Sequence, residues 1–213
     1  WGQPILLVPF HWLGKGLGLL FAGTPDGVEK WALTSVTFSS VLVGVFLVLA
    51  VRNLALALGA SRKGALFAAI AAGCGSFLWV YSQDLFRNPL AAFFLTLSVA
   101  QLLRIREQPR SLHLSGLFFL LLLQVRIDGI LAAPFMLLWI VGSSMSDVGC
   151  RMSGYFKWAK MRPIIVWAVW CFVGLGLWGL NNWIRFGNPF QHNMPGVAFS
   201  ESLLVSIPGF LWS

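Results

Sequence analysis

Arg126 and Asp128 stand near the middle of a 30-residue apolar run, Leu112 to Val141. A charge at membrane depth costs about 2.5–3.5 kcal/mol on insertion scales, so each of these needs a partner. Residues i and i+2 face different sides of a helix. Mutual neutralisation therefore requires the helix to break at Arg126, Ile127, Asp128 and Gly129. Alternatively, Arg126 waits for an anion such as a lipid phosphate, to which a guanidinium donates in bidentate fashion. The residues alone leave both readings open.

A second polar group lies between Tyr81 and Pro89, where one helical turn sets Asp84, Arg87 and Asn88 on a common face. It reads as a local ion pair with Asn-Pro opening the next helix, or as one wall of a polar pocket. Arg185 with Asn188-Pro189 repeats the pattern, and His192 in the same stretch reads as a solvated loop histidine. The other chemistry-bearing residues are dispersed. His11 and His113 are far from His192, and the three cysteines Cys74, Cys150 and Cys171 are widely spaced, which suits neither a disulfide framework nor a zinc site. No G-x-x-x-x-G-K-[ST], H-E-x-x-H or G-x-S-x-G occurs, so ATPase, metalloprotease and hydrolase readings lose their usual support. No cofactor is expected; a divalent metal stays open, although no spacing marks a site for one.

The elements that must position these residues are apolar helices. Of 213 residues, 58% are hydrophobic and 10% charged, where a soluble domain carries about 25% charged. A chain of this composition belongs in a bilayer. The expected fold is all-α: a polytopic transmembrane helical bundle with short broken helices, spans at about 31–51, 65–81, 89–103, 112–125, 129–141 and 164–180, and an external loop at 181–197. Residues 4–21 carry Pro4, Pro9, Lys15 and the glycines Gly14, Gly16 and Gly18, and read as an interfacial or re-entrant segment. Gly14 and Gly18 also match G-x-x-x-G, while Ala69–Gly73 and Ala71–Gly75 form small-xxx-small pairs that admit a neighbouring helix. Trp31, Trp79, Trp139 and Trp183 fall near span ends, as aromatic belts do, whereas Trp167 and Trp170 suit helix packing equally well.

The net charge of +8 does not form a nucleic-acid stripe, because the basic residues are scattered between apolar runs. No nucleic-acid partner is expected; the partner is the membrane. Arg52, Arg62 and Lys63, then Arg104, Arg106 and Arg110, then Arg151, Lys157, Lys160 and Arg162 fall in alternate loops. The opposite side holds Lys15, Lys30, Arg87, Arg126 and Arg185. The positive-inside rule then puts SQDLFRNP, RIDG and NNWIRFGNP outside the cytoplasm, provided that 112–141 crosses twice.

In this order the segments resemble the GT-C superfamily of polytopic glycosyltransferases, of the protein O-mannosyltransferase and lipid A aminoarabinose transferase type. GQPILLVPFHWLGKGLG looks like the Pro-containing stretch ending the family's first external loop, and YSQDLFRNPL like its Tyr-Ser motif. VRIDGILAAP looks like the Arg/Lys-x-Asp-Gly break, and NNWIRFGNPF like an aromatic Arg-Phe-Gly-x-Pro-Phe loop of bacterial members. The likeness covers almost the whole chain, and the order carries more weight than any single motif.

The resemblance implies transfer of a sugar from a polyprenyl-phosphate donor to a lipid, protein or glycan acceptor, at the outer face of a bacterial inner (plasma) membrane. It implies that Arg126 and Arg185 hold the donor phosphate, supported by Asp128, Arg87 and Asn88. It places the family's first span and catalytic acidic loop before Trp1. Asn88 stands where many members carry an acidic residue before proline, which leaves Asp84 as the candidate acid within the chain. A transporter or channel subunit with broken helices around a substrate path, or a non-catalytic membrane scaffold, is the alternative.

Overall fold

The computed structural model describes residues 2–75, 87–105, 108, 110–145 and 155–189. They fall into two compact units, Trp1–Trp178 and Gly179–Ser213. The protein is all-α, with seven helices among the described residues: α1 (Gly2–Phe21), α2 (Pro25–Ala57), α3 (Arg62–Cys74), α4 (Arg87–Leu103), α5 (Arg110–Val125), α6 (Ala133–Met145) and α7 (Tyr155–Phe186). A 3₁₀ turn, Ile127–Ala132, joins α5 to α6. Two stretches, Pro25–Ala57 and Met161–Ile184, are long and apolar enough to cross a membrane.

The segment expected to be interrupted, 4–21, is instead within one continuous helix. Pro9 lies inside α1, which nevertheless packs along α2 as a helical hairpin. The glycines are what make that packing close. A Cβ at Gly14 would stand 2.6 Å from the Ala32 Cα and 2.6 Å from the Trp31 carbonyl oxygen, and one at Gly18 would stand 2.7 Å from the Val28 Cα. The G-x-x-x-G pattern thus brings two backbones of the same chain together. Gly23, at φ 64°, supplies the left-handed turn after α1. Thr24 then caps α2 by accepting from the Gly27 N–H, with Pro25 in the first turn where its missing donor costs nothing.

Other helices overrun the expected spans. α2 covers 25–57 rather than 31–51, and its 33 residues reach about 50 Å, well beyond a hydrocarbon core of about 30 Å. Hydropathy locates the apolar middle of such a helix, whereas capping at Thr24 and the turn at Gly59, φ 87°, set its ends. α3 is capped by Ser61 and ends at Gly75, a helix of 13 residues that covers the described part of the 65–81 span; residues 76–81 lie outside the described ones. Of its two small-residue pairs, one packs. Ala65 and Ala69 are buried, and a Cβ at Gly73 would meet the Val48 side chain at 3.1 Å, whereas Ala71 is exposed and Gly75 is the cap. α7 begins at Tyr155 and passes through Pro163, and it continues to Phe186 rather than ending at 180.

The core of the first unit lies among α4, α5, α6 and α7, where Phe119, Leu123, Ile140 and Trp167 are fully buried. Polar side chains tie the same helices. Ser98 Oγ donates to the Ser115 carbonyl at 2.7 Å and lies 3.2 Å from Ser115 Oγ, which accepts from Trp167 Nε1 at 3.3 Å. Gln124 Nε2 donates to the Gly174 carbonyl at 2.8 Å. Such bonds hold apolar helices together where the hydrophobic effect between them is absent. Trp167 is therefore a packing residue, while Trp31, Trp139 and Trp183 are substantially exposed, Trp31 and Trp183 in the outer turns of α2 and α7 and Trp139 at the middle of α6; Trp79 lies outside the described residues.

Candidate functional site

The expected helix break is present, and its cause is local. The Arg126 N–H still donates to the Leu122 carbonyl at 2.8 Å, but Arg126 itself is extended, at φ −145° and ψ 114°. The chain then makes one 3₁₀ turn, with the Gly129 N–H bonded to the Arg126 carbonyl at 3.2 Å. Pro134, which has no N–H, cannot continue a regular ladder from that turn and instead falls in the first turn of α6.

Because Arg126 is extended, its side chain and that of Asp128 point the same way. Arg126 Nε donates to Asp128 Oδ1 at 2.9 Å, and Nη2 donates to Oδ2, a bidentate fork. Arg126 Nη1 donates to Asn88 Oδ1, in the first turn of α4 and 38 positions away in sequence. The break therefore brings the mutual pair into being, and α4 supplies a third contact. A guanidinium carries five N–H donors, so two remain without a partner among the described residues.

The pair is open rather than sealed, with side chains 41% exposed at Arg126 and 53% at Asp128. A fixed, half-exposed guanidinium with donors to spare is suited to gripping an oxyanion. Asp128 holds the plane of the fork, and Asn88 fixes its tilt. Asp26 and Glu29 are exposed in the first turns of α2, and with Asp128 they are the carboxylates among the described residues.

The remaining expected site residues are not assembled with this group by anything in the described structure. Arg87 opens α4, and Arg185 lies near the end of α7 in the second unit; neither side chain is described. Asp84 and His192 lie outside the described residues. The stretch expected as a loop from 181 is helical to Phe186, since nothing in NNWIRF stops the helix before Gly187, which ends it at φ 69° with its N–H bonded to the Trp183 carbonyl. Within that unit Asn182 Nδ2 donates to the Pro189 carbonyl at 3.3 Å. Among the described residues no group of His, Cys, Asp and Glu could hold a metal ion.

The residues themselves linked Asn88 to its neighbours Asp84 and Arg87, and only the resemblance put it in support of the Arg126 site. Its bond to Arg126 depends on how α4 docks beside the end of α5, and no local signal announces that. No protein-family model, curated protein or solved structure matches the chain. The class that fold and site define is thus an all-α protein with two long apolar helices and an arginine held open at a helix break.

Proposed function

We propose that this is a membrane glycosyltransferase of the GT-C type, taking a sugar from a polyprenyl-phosphate donor, with Arg126 receiving the departing phosphate. The observation that carries the reading is the Arg126–Asp128–Asn88 group. In the transfer, the bond between the sugar C1 and the phosphate oxygen breaks, and C1 bonds to an acceptor oxygen whose proton passes to a base. Negative charge collects on the leaving phosphate. A preorganised guanidinium stabilises that charge without reorganising at the moment of reaction.

A bilayer setting is supported by the outward faces of the helices. The apolar windows of α2 and α7 are only 28% and 17% buried, and large side chains such as Phe67, Phe135 and Phe172 are more than two-thirds exposed. Contiguous apolar surface of this extent is stable against lipid rather than water.

Polarity of charge supports an external site. The ends of α2, α4 and α6 meet around Leu58, Leu103 and Ser143, away from the break, and the basic loop residues Arg62, Lys63 and Arg104 lie at that end. The arrangement predicts a labelling pattern. With Cys74, Cys150 and Cys171 removed, Glu29→Cys reacts in intact cells with a membrane-impermeant thiol reagent, and Ala60→Cys reacts only after permeabilisation. Labelling of Ala60→Cys from outside reverses the orientation.

The transferase reading is tested by supplying the purified protein, together with the acidic segment that the resemblance places before Trp1, with polyprenyl-phosphate-linked sugars and following release of free polyprenyl phosphate. Release that requires an acceptor is the expected result. Movement of a solute across proteoliposomes with no cleavage of the donor would instead establish a transporter.

A further inference from the structure

An open apolar groove of about 770 Å³ runs along α6 beside the ends of α2 and α4, walled by Leu58, Leu102, Ile105, Phe135, Leu138 and Trp139. Its size is that of sites holding small ligands, about 300–1,000 Å³. On α6 it runs from Phe135 to Ser143, about 12 Å along the helix axis, which is too short a trough for another spanning helix of about 30 Å. An acyl chain fits that length.

The rim distinguishes one lipid class from another. Arg104 stands between Leu103 and Ile105, which both line the groove. It is exposed, and its backbone is anchored by an N–H bond to Gln101 and by accepting from the Gln108 N–H at 3.0 Å. Arg62 and Lys63, exposed at the start of α3, follow Leu58 by one short turn. Among the described residues the carboxylates are elsewhere, Asp26 and Glu29 at the far end of α2 and Asp128 at the break; Arg106 and Glu107 lie outside the described residues. Trp139, half-exposed at the middle of α6, lines the groove between these ends.

We propose that this groove binds one anionic phospholipid of the adjacent leaflet, its acyl chain against Phe135, Leu138 and Trp139 and its phosphate at Arg104. The site is separate from the sugar-transfer reading and stands or falls without it.

The test is native mass spectrometry of the purified full chain in an uncharged detergent, titrated with phosphatidylglycerol or phosphatidylcholine of identical acyl chains. Phosphatidylglycerol binds about fivefold tighter, the preference expected of one basic residue at a membrane surface. Arg104→Gln removes that preference and leaves phosphatidylcholine binding unchanged. Lys15→Gln, an exposed charge on α1, leaves the preference intact; an equal loss in this control shows general charge attraction and overturns the site. Among the described residues no atom lies within 4 Å of where a Cβ at Gly142 would stand, so Gly142→Leu fills the groove without moving backbone and lowers binding of both lipids by about tenfold or more. Equal affinity of the parent for the two lipids, an unchanged preference for phosphatidylglycerol in Arg104→Gln, or unchanged binding of both lipids in Gly142→Leu overturns the proposal. If circular dichroism shows Gly142→Leu to be misfolded, the Arg104→Gln arm decides alone.

Discussion

Arg126→Gln is expected to lower turnover of a polyprenyl-phosphate sugar donor by about 10²–10³, the loss typical when one preorganised donor to a developing oxyanion is removed. Asp128 and Asn88 hold the guanidinium in place before any ligand arrives, so its contribution is free of reorganisation. Glutamine keeps much of the length but brings neither the charge nor the fork. The effect on folding should be much smaller. With the two side chains 41% and 53% exposed, the Asp128 carboxylate left behind remains solvated, and the open pair contributes no more than about 1 kcal/mol. Turnover measured beside folded yield separates the two roles. If yield collapses and the double variant Arg126→Gln, Asp128→Asn restores it, the pair is structural, and the phosphate reading is lost. Asp128→Asn alone should cost less turnover than Arg126→Gln, since the charge stays while its orientation loosens.

Gly14→Leu should abolish the α1–α2 hairpin. Its Cβ would stand 2.6 Å from backbone atoms of α2, and a helix backbone cannot move aside as the tip of a side chain can. Overpacking of a flexible core costs about 1–3 kcal/mol. A clash with backbone on the partner helix exceeds that range, because the two helices must separate along their whole seam. The expected outcome is a near-complete loss of monodisperse protein on size-exclusion chromatography, with accelerated proteolysis within residues 1–24. Gly16→Leu is the internal control: nothing lies within 4 Å of its Cβ position, so yield and proteolysis should stay close to the parent's. Equal tolerance at both positions would show that the hairpin is not the packing unit described.

What the sequence by itself determined is whatever depends on neighbours within a few positions. The 58% hydrophobic composition and the scarcity of charge pointed to a bilayer, and apolar runs long enough to cross it pointed to helices, which the structure has. The break at Arg126–Gly129 was legible because the 30-residue apolar run is too long for one span and an uncompensated charge inside it is costly. Helix limits were less legible. Hydropathy marks where side chains prefer lipid, whereas the backbone ladder of α2 and α7 runs on until a cap or a left-handed glycine stops it.

Tertiary structure alone decided the partners. Asn88 meets Arg126 across 38 positions, and Trp167 meets Ser115 across 52, through docking angles that no local pattern encodes. Gly14 and Gly18 looked like breakers in an interrupted segment, yet they are the points of closest approach to α2. A glycine's missing Cβ permits a bend and a close contact alike, and only the position of the neighbouring backbone determines which of the two the chain uses.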